Sequence, residues 1–173
     1  MNQTNEKTRA LVMTALMAAI IFVATYIIKI PNPATGGYSH MGDCMIFLAV
    51  VIMGRRNGAI AGALGAALSD LLAGAAVWIL PTLVIKFIMA TIMGTIMLKD
   101  PASRKLQVLG AAAGGIFQII AYTIVKVFLV GVHPAIASLP NVTIQTTVGI
   151  VLFVILASVL SKYIGKLIGK RAE

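Results

Sequence analysis

Long apolar runs recur along the chain and restrict it to folds that a lipid bilayer can hold. Several of them approach or exceed the ~18 residues that an α-helix needs to cross a hydrocarbon core. Only 11% of the residues are charged, against roughly 25% in soluble domains, and the mean hydropathy is +1.00. The sequence therefore predicts an integral membrane protein and excludes an ordinary soluble domain.

Polar interruptions between these runs divide the chain into six predicted spans within a single membrane domain, residues 1–173. The predicted spans cover about residues 9–30, 43–53, 57–76, 77–98, 106–130 and 142–164. The first run has no small-residue cleavage site before the next polar stretch, so we expect it to be a retained span. The second is short and would need tilt or burial among its neighbours. The predicted fold class is an all-α membrane protein with six transmembrane helices.

The positions of Lys and Arg predict the orientation of these spans, because basic residues concentrate in cytoplasmic connections. Eleven of the 14 Lys and Arg residues fall on one side: Lys7, Arg9, Arg55, Arg56, Lys99, Arg104, Lys105, Lys162, Lys166, Lys170 and Arg171. Both termini are therefore predicted to be cytoplasmic, in the plasma membrane of a bacterial-type cell. Since the charges flank apolar runs, the net charge of +9 does not predict a nucleic-acid partner.

The first predicted outer loop is Ile30–Asp43, with the sequence IPNPATGGYSHMGD. Pro31 and Pro33 are expected to end the preceding helix, because proline lacks an N–H and restricts its neighbour. Loops of this length and composition often bind ligands or act as lids. Tyr38 and His40 are the candidate ligand contacts in this loop, and a plain extracellular loop is the alternative.

Polar side chains inside the predicted spans supply further candidates. An ionisable group there costs at least ~2.5–3.5 kcal/mol on insertion scales, so it usually faces a cavity or a partner. Asp70 and Lys86 lie at equal depth and are possible partners, either in a structural pair or at a binding site. The other candidate binding residues are Trp78, Gln118, Tyr122, Lys126, Asn141 and Gln145. Trp78 could instead be an anchor of the aromatic belt at the membrane interface. The side chain of Lys126 could instead extend to the membrane surface.

These polar groups are concentrated in the outer half of the predicted spans, whereas the inner half is apolar with a few Ser and Thr. Gln118, Tyr122 and Lys126 are spaced four residues apart and share one helix face. A conducting pore would need a polar lining from end to end. We therefore predict a pocket that opens to the outside and is closed below.

Small residues at four-residue spacing mark two helix faces that can approach another helix closely. In the third span this face consists of Gly58, Gly62, Ala66, Asp70 and Gly74, which predicts an internal packing helix. In the first span it consists of Ala15 and Ala19. Because no charge lies between Arg9 and Lys29, this second face is available to another protein.

The sequence carries no motif for catalysis. It has no GxxxxGK[ST] phosphate loop, so the chain is not expected to hydrolyse ATP. It has no HExxH, and His40 and His133 lack metal-ligand spacing. The single cysteine, Cys44, excludes an internal disulfide and a cysteine metal cluster. We predict no catalytic residue, no metal and no cofactor in this chain.

Taken together, these features resemble the S components, the substrate-binding membrane subunits of energy-coupling factor (ECF) vitamin transporters. The resemblance rests on the length, the six spans with both ends inside, the long first outer loop and the Ala15-x-x-x-Ala19 motif. The run GDCMIFLAVVIMGRRNGAIAGALGAALSDLLAG, residues 42–74, is similar to the riboflavin-type branch. A hydroxymethylpyrimidine- or pyridoxine-type S component is the other form that the resemblance allows.

The resemblance implies a high-affinity vitamin-binding subunit whose cavity is formed by the first outer loop and spans four to six. It also implies that the Ala15 and Ala19 face docks on a transmembrane coupling subunit, which joins two cytoplasmic ATPases that use the ATP. The aromatic candidates suit a planar heterocycle, Asn141 and Gln145 suit its polar edges, and Lys86 and Lys126 suit a phosphate, carboxylate or hydroxyl. We expect a hydroxymethylpyrimidine- or pyridoxine-like ligand first, then pantothenate or riboflavin.

Two other functions are compatible with parts of the pattern. A self-sufficient small-solute transporter or channel predicts flux in liposomes from the purified chain alone. A membrane scaffold without a ligand predicts an empty or lipid-filled outer cavity. The clustering of polar groups on one side favours the binding subunit over both.

Overall fold

A computed structural model describes residues 3–27, 29–32 and 37–161, with side chains over 5–27 and 40–161. The helices are α1 (Gln3–Tyr26), α2 (Gly42–Leu72), α3 (Ala76–Ile96), α4 (Arg104–Val130), α5 (Val132–Ala137) and α6 (Leu139–Val159), with a 3₁₀ turn at Met97–Lys99. Five helical segments of the described chain are long and apolar enough to cross a membrane. The predicted helical membrane architecture is thus present.

The sequence predicts a loop for the first connection, but part of this connection has regular structure. It contains an antiparallel hairpin of β1 (Lys29–Asn32) and β2 (Gly37–His40), in which Pro31 pairs with Tyr38. The first helix therefore ends at Tyr26 and not at residue 30, because the proline-containing segment is extended. Pro33 and Gly36 lie outside the described residues. We refer to the side of the bundle that carries this hairpin as the hairpin end.

Helix α2 reverses direction at Gly54, whose φ of 81° and ψ of 175° are essentially restricted to glycine. A Cβ added to Gly58 would lie 2.6 Å from Cα of Val50, and one added to Gly62 would lie 2.7 Å from Ile46 Cγ2. In a straight helix, positions 46 and 62 would be ~24 Å apart. The two halves of α2 therefore pack against each other, and they correspond to the predicted spans 43–53 and 57–76.

The second predicted loop, residues 131–141, is also more regular than expected. It contains α5, and α6 already begins at Leu139 instead of Val142. Pro134 and Pro140 occupy the first turns of these helices, where a missing backbone N–H has little cost. The C-terminal part of the sixth predicted span, from residue 162, and Lys162, Lys166, Lys170 and Arg171 lie outside the described residues.

Helix α2 is the centre of the bundle, and it packs against α1, α3 and α6. Its first half carries Phe47, which is fully buried and meets the ring of Phe153 of α6 at 5.7 Å between centroids. Its second half uses small residues to approach α1 closely, because a Cβ on Gly65 would lie 2.5 Å from the carbonyl oxygen of Ala18. The predicted internal packing helix is therefore this second half of α2.

Candidate functional site

A cavity of about 290 Å³ lies at the hairpin end of the bundle. Five helices and β2 contribute to its wall: Thr25 from α1, His40 from β2, Ser69 and Asp70 from α2, Ala75, Trp78 and Thr82 at and within the start of α3, Tyr122 and Lys126 from α4, and Asn141, Val142 and Gln145 from α6. Because the lining combines aromatic rings, amides, hydroxyls and charges, the cavity can orient a small polar ligand.

Most of the residues singled out from the sequence line this cavity. The six that do are His40, Trp78, Tyr122, Lys126, Asn141 and Gln145. Lys86 and Gln118 do not line it, because they lie one helical turn farther from the hairpin end than Thr82 and Tyr122. Tyr38 lies in β2, and its side chain is outside the described residues.

A buried polar layer lies beneath the cavity and joins four segments of the bundle. Lys86 donates to Asp43 Oδ1 and to Gln118 Oε1, forming an ion pair with Asp43. Gln118 Nε2 donates to Asp43 Oδ2 and to Thr146 Oγ1, each at 2.8 Å. All four side chains are at most 2% exposed. We call these residues the floor layer.

The ion-pair partner of Lys86 is Asp43, which corrects the expected pairing with Asp70. Depth along the chain places Asp70 and Lys86 at a similar level, but it does not say which helices face each other. The sequence places Asp43 at the boundary between the first loop and the second predicted span, and the structure shows it in the first turn of α2 and completely buried. The sequence signal that could have identified Asp43 is an acid that follows a glycine directly at the start of an apolar run.

The floor layer closes the cavity because its hydrogen-bonding groups are directed at one another. Charges buried without partners would cost several kcal/mol each, so the arrangement is stable only as a complete set. Directly beyond it lie fully buried apolar side chains, including Ile46, Met89 and Phe153. Gln145 connects the two regions, since it lines the cavity and its Nε2 lies 3.4 Å from Asp43 Oδ2.

An aromatic wall stands directly above this layer. The rings of Trp78 and Tyr122 meet at 6.2 Å with an angle of 50° between their planes. The Tyr122 hydroxyl donates to Thr82 Oγ1 at 3.1 Å, and Lys86 Nζ lies 5.4 Å from the centre of the Tyr122 ring. These contacts fix the ring of Tyr122 from three directions, so the wall is preorganised for a planar ligand.

The two charged residues of the cavity have different surroundings. Lys126 Nζ donates to Ser138 Oγ at 2.9 Å, so its side chain is held by the α5–α6 junction and is not directed at the surface. Asp70 was considered from the sequence only as a partner for Lys86, but it lines the cavity. Within the described chain, its buried Oδ2 has no hydrogen-bond partner.

The proposed docking residues Ala15 and Ala19 are exposed on α1, whose other side packs on α2 through Ala18 and Ile21. Large apolar side chains such as Leu16 surround them on the outer surface of α1. Among the described residues, no group of His, Cys, Asp and Glu is arranged to hold a metal ion.

Comparison with known proteins gives two matches. The family model described as "ECF-type riboflavin transporter, S component" matches residues 5–162 of this chain. A curated protein from Pyrococcus woesei, described as "Uncharacterized protein in gap 3'region", is 36% identical over 132 residues. That alignment covers 76% of this chain and 88% of the relative.

Proposed function

The chain belongs to the family of S components of ECF-type riboflavin transporters, and from this premise we propose that it captures a vitamin or vitamin precursor for an ATP-driven importer. Members of this family are multi-pass, non-catalytic membrane subunits that bind the transported substrate. The observation that carries the proposal is the cavity at the hairpin end, which is lined by polar and aromatic groups and closed by the floor layer.

The size and lining of the cavity favour a small planar heterocycle as the ligand. Its volume of about 290 Å³ is at the lower end of the ~300–1,000 Å³ that is usual for ligand pockets. Trp78 and Tyr122 offer aromatic surface, while Asn141 and Gln145 offer amides for the edges of a ring. A hydroxymethylpyrimidine- or pyridoxine-like ligand ranks first, and pantothenate or riboflavin follows.

The proposed topology has six crossings, with the two halves of α2 counted separately and both termini in the cytoplasm. The reversal at Gly54 supports this count. Arg55 and Arg56 follow the reversal, and Lys99, Arg104 and Lys105 surround the α3–α4 connection. These basic connections lie away from the hairpin end, which supports an outward-facing cavity by the positive-inside rule.

Transport in this proposal uses partner subunits, as the family implies, and the floor layer closes the cavity on its inner side in the described part of the bundle. We assign the exposed Ala15 and Ala19 face of α1 to a transmembrane coupling subunit, and ATP hydrolysis to two cytoplasmic ATPases. Small side chains at this spacing allow two helices to approach closely. Both residues are exposed on the side of α1 that no other described element covers.

Mass spectrometry of small molecules released from gently purified protein tests this function. We expect the unchanged protein to release a single vitamin-class heterocycle. The variant Trp78→Ala should release much less of it, because Trp78 lines the cavity. The control Phe87→Ala should release as much as the unchanged protein, because Phe87 is exposed on α3 outside the cavity. Repeated absence of any vitamin, with no binding when vitamins are added, would favour the ligand-free scaffold. Solute flux in liposomes from the purified chain alone would favour a self-sufficient transporter.

A further inference from the structure

The described residues leave one oxygen of the Asp70 carboxylate without a hydrogen-bond partner. It lines the cavity, yet Lys86, the cation at its level, is committed to Asp43 and Gln118. Lys86 Nζ also lies 5.4 Å from the centre of the Tyr122 ring. Lys86 therefore cannot turn toward Asp70 without opening the floor layer.

The hydrogen bond between Tyr122 and Thr82 does not extend to Asp70 Oδ2. Tyr122 donates to Thr82 Oγ1, so the single hydroxyl hydrogen of Thr82 is free to be donated onward. Thr82 and Asp70 both line the cavity. Asp70 Oδ2 is buried and has no partner among the described residues. An unsatisfied buried acceptor is costly, and a charged one more so. Because Asp70 lines the cavity, a ligand that donates a hydrogen bond to this carboxylate would relieve that cost.

The aromatic wall in the same cavity restricts the kind of donor. Asp70 shares the cavity with Trp78 and Tyr122, and Thr82, which also lines it, accepts a hydrogen bond from Tyr122. A small planar ring against the wall would therefore lie in the same cavity as the carboxylate. Aromatic faces and a carboxylate both favour a ring that carries positive charge or polarised N–H groups.

We propose that Asp70 determines specificity by accepting a hydrogen bond from an amino group or a protonated ring nitrogen of the bound heterocycle. This inference rests on the proposed function and narrows its ligand class to amino-substituted or basic nitrogen heterocycles. A ligand carboxylate near Asp70 would be repelled, which counts against pantothenate. Riboflavin also fits less well, because it has no amino group and no basic ring nitrogen at neutral pH, and its one ring N–H is flanked by two carbonyl oxygens that a carboxylate would repel.

The fluorescence of Trp78 provides the readout, because it is the single tryptophan of the chain and lines the cavity. Purified protein in detergent is titrated with four probes: 4-amino-5-hydroxymethyl-2-methylpyrimidine, pyridoxine, riboflavin and pantothenate. We expect the aminopyrimidine or pyridoxine to bind most tightly. The isosteric variant Asp70→Asn should weaken that binding at least about tenfold, the size expected for a hydrogen bond to a charged group. The control Asp100→Asn, the same acid-to-amide change at an exposed residue of the α3–α4 connection, should alter it less than about threefold.

A second titration removes the donor from the ligand and does not depend on a variant. The same pyrimidine with hydrogen in place of its amino group should lose about as much affinity for the unchanged protein as Asp70→Asn loses for the parent compound. For Asp70→Asn, removing the amino group should have little further effect, since the shared hydrogen bond is already absent.

The outcomes separate the two proposals. If a probe binds tightly and with equal affinity to the unchanged protein and to Asp70→Asn, the role of Asp70 is overturned but the vitamin-binding function remains in place. Preferred binding of pantothenate or riboflavin does the same. Failure of the unchanged protein to bind any of the four probes, with no vitamin released from purified material, overturns the proposed function and this inference together.

Discussion

Lys86 illustrates how a single charged residue is accommodated within the membrane-spanning part of a protein. It is 1% exposed and lies between Asp43, Gln118 and the ring of Tyr122. The transfer of an isolated ammonium from water into a low-dielectric interior is strongly unfavourable, so its stability here depends on this set of partners. Lys86 does not line the cavity, and its Nζ lies 5.4 Å from the centre of the Tyr122 ring, which does.

The ion pair leads to a prediction about stability. Lys86→Met leaves Asp43 buried without its counter-charge, so we expect a loss of about 3–5 kcal/mol in the free energy of unfolding. The double variant Asp43→Asn, Lys86→Met removes both charges and should recover part of this loss. Thermal or denaturant unfolding in detergent measures both effects.

Lys126→Met is the matched control, because Lys126 is only half-buried and bonds to the neutral Ser138. It should destabilise the protein much less than Lys86→Met. A double variant that is no more stable than Lys86→Met alone would show that the charge on Asp43 is not the cause of the loss.

At the scale of elements, the reversal of α2 brings two halves of one helical segment into direct backbone contact. Gly54 supplies the turn, and Gly58 supplies the space in which the backbone of Val50 and Ala49 lies. This packing presents Asp43 to the middle of the bundle and Asp70 to the cavity. The two acids of α2 thus reach different layers because the segment runs first away from the hairpin end and then back toward it.

The variant Gly58→Ala tests this packing, because the sign of the change in the free energy of unfolding depends on whether the two halves of α2 are in contact. In an unhindered helix, alanine is more stable than glycine by up to ~1 kcal/mol. At Gly58 the new methyl group would meet three backbone atoms at 2.6–2.9 Å, so we expect a loss of about 1–3 kcal/mol. Differential scanning calorimetry or thermal unfolding in detergent provides the measurement.

Gly62→Ala is the comparison on the same face, where the new methyl group would meet side-chain atoms of Ile46 and not backbone. It should cost less than Gly58→Ala. An increase in stability for Gly58→Ala would be incompatible with the close contact of the two halves of α2.

At the scale of the whole molecule, the cavity and the proposed docking face are on different parts of the bundle. The cavity wall takes only Thr25 from the last turns of α1, whereas Ala15 and Ala19 lie in the middle of that helix and are exposed. Ligand capture and assembly with partners can therefore be altered separately.

Replacing Ala15 and Ala19 together with Leu should abolish ATP-driven uptake in cells that contain the partner subunits. Ligand binding by the purified variant should remain within about twofold, because neither residue touches the cavity. Met13→Trp is the control, since Met13 is exposed on α1 but points about 160° away from Ala15. It should leave uptake largely intact. Loss of ligand binding in the Ala15, Ala19 variant would mean that the docking face is assigned incorrectly.

Local patterns of the sequence predict much of the architecture. The lengths of the apolar runs place α1, α3, α4 and α6 close to their observed ranges, and the predicted S-component family is confirmed by the match over residues 5–162. Six of nine predicted binding residues line one cavity, because depth along a helix and a shared helix face follow from the helical rise and periodicity alone.

The tertiary structure decided what depends on contacts between distant segments. It paired Lys86 with Asp43 instead of Asp70, closed the cavity with the floor layer and placed Asp70 in the cavity lining. Helical spacing fixes how deep a side chain lies, but which helices face each other is set by packing, here by the glycines at which α2 reverses and approaches its neighbours. For this reason the sequence by itself determined the class, the helices and the candidate residues, and only the folded bundle determined which of them meet.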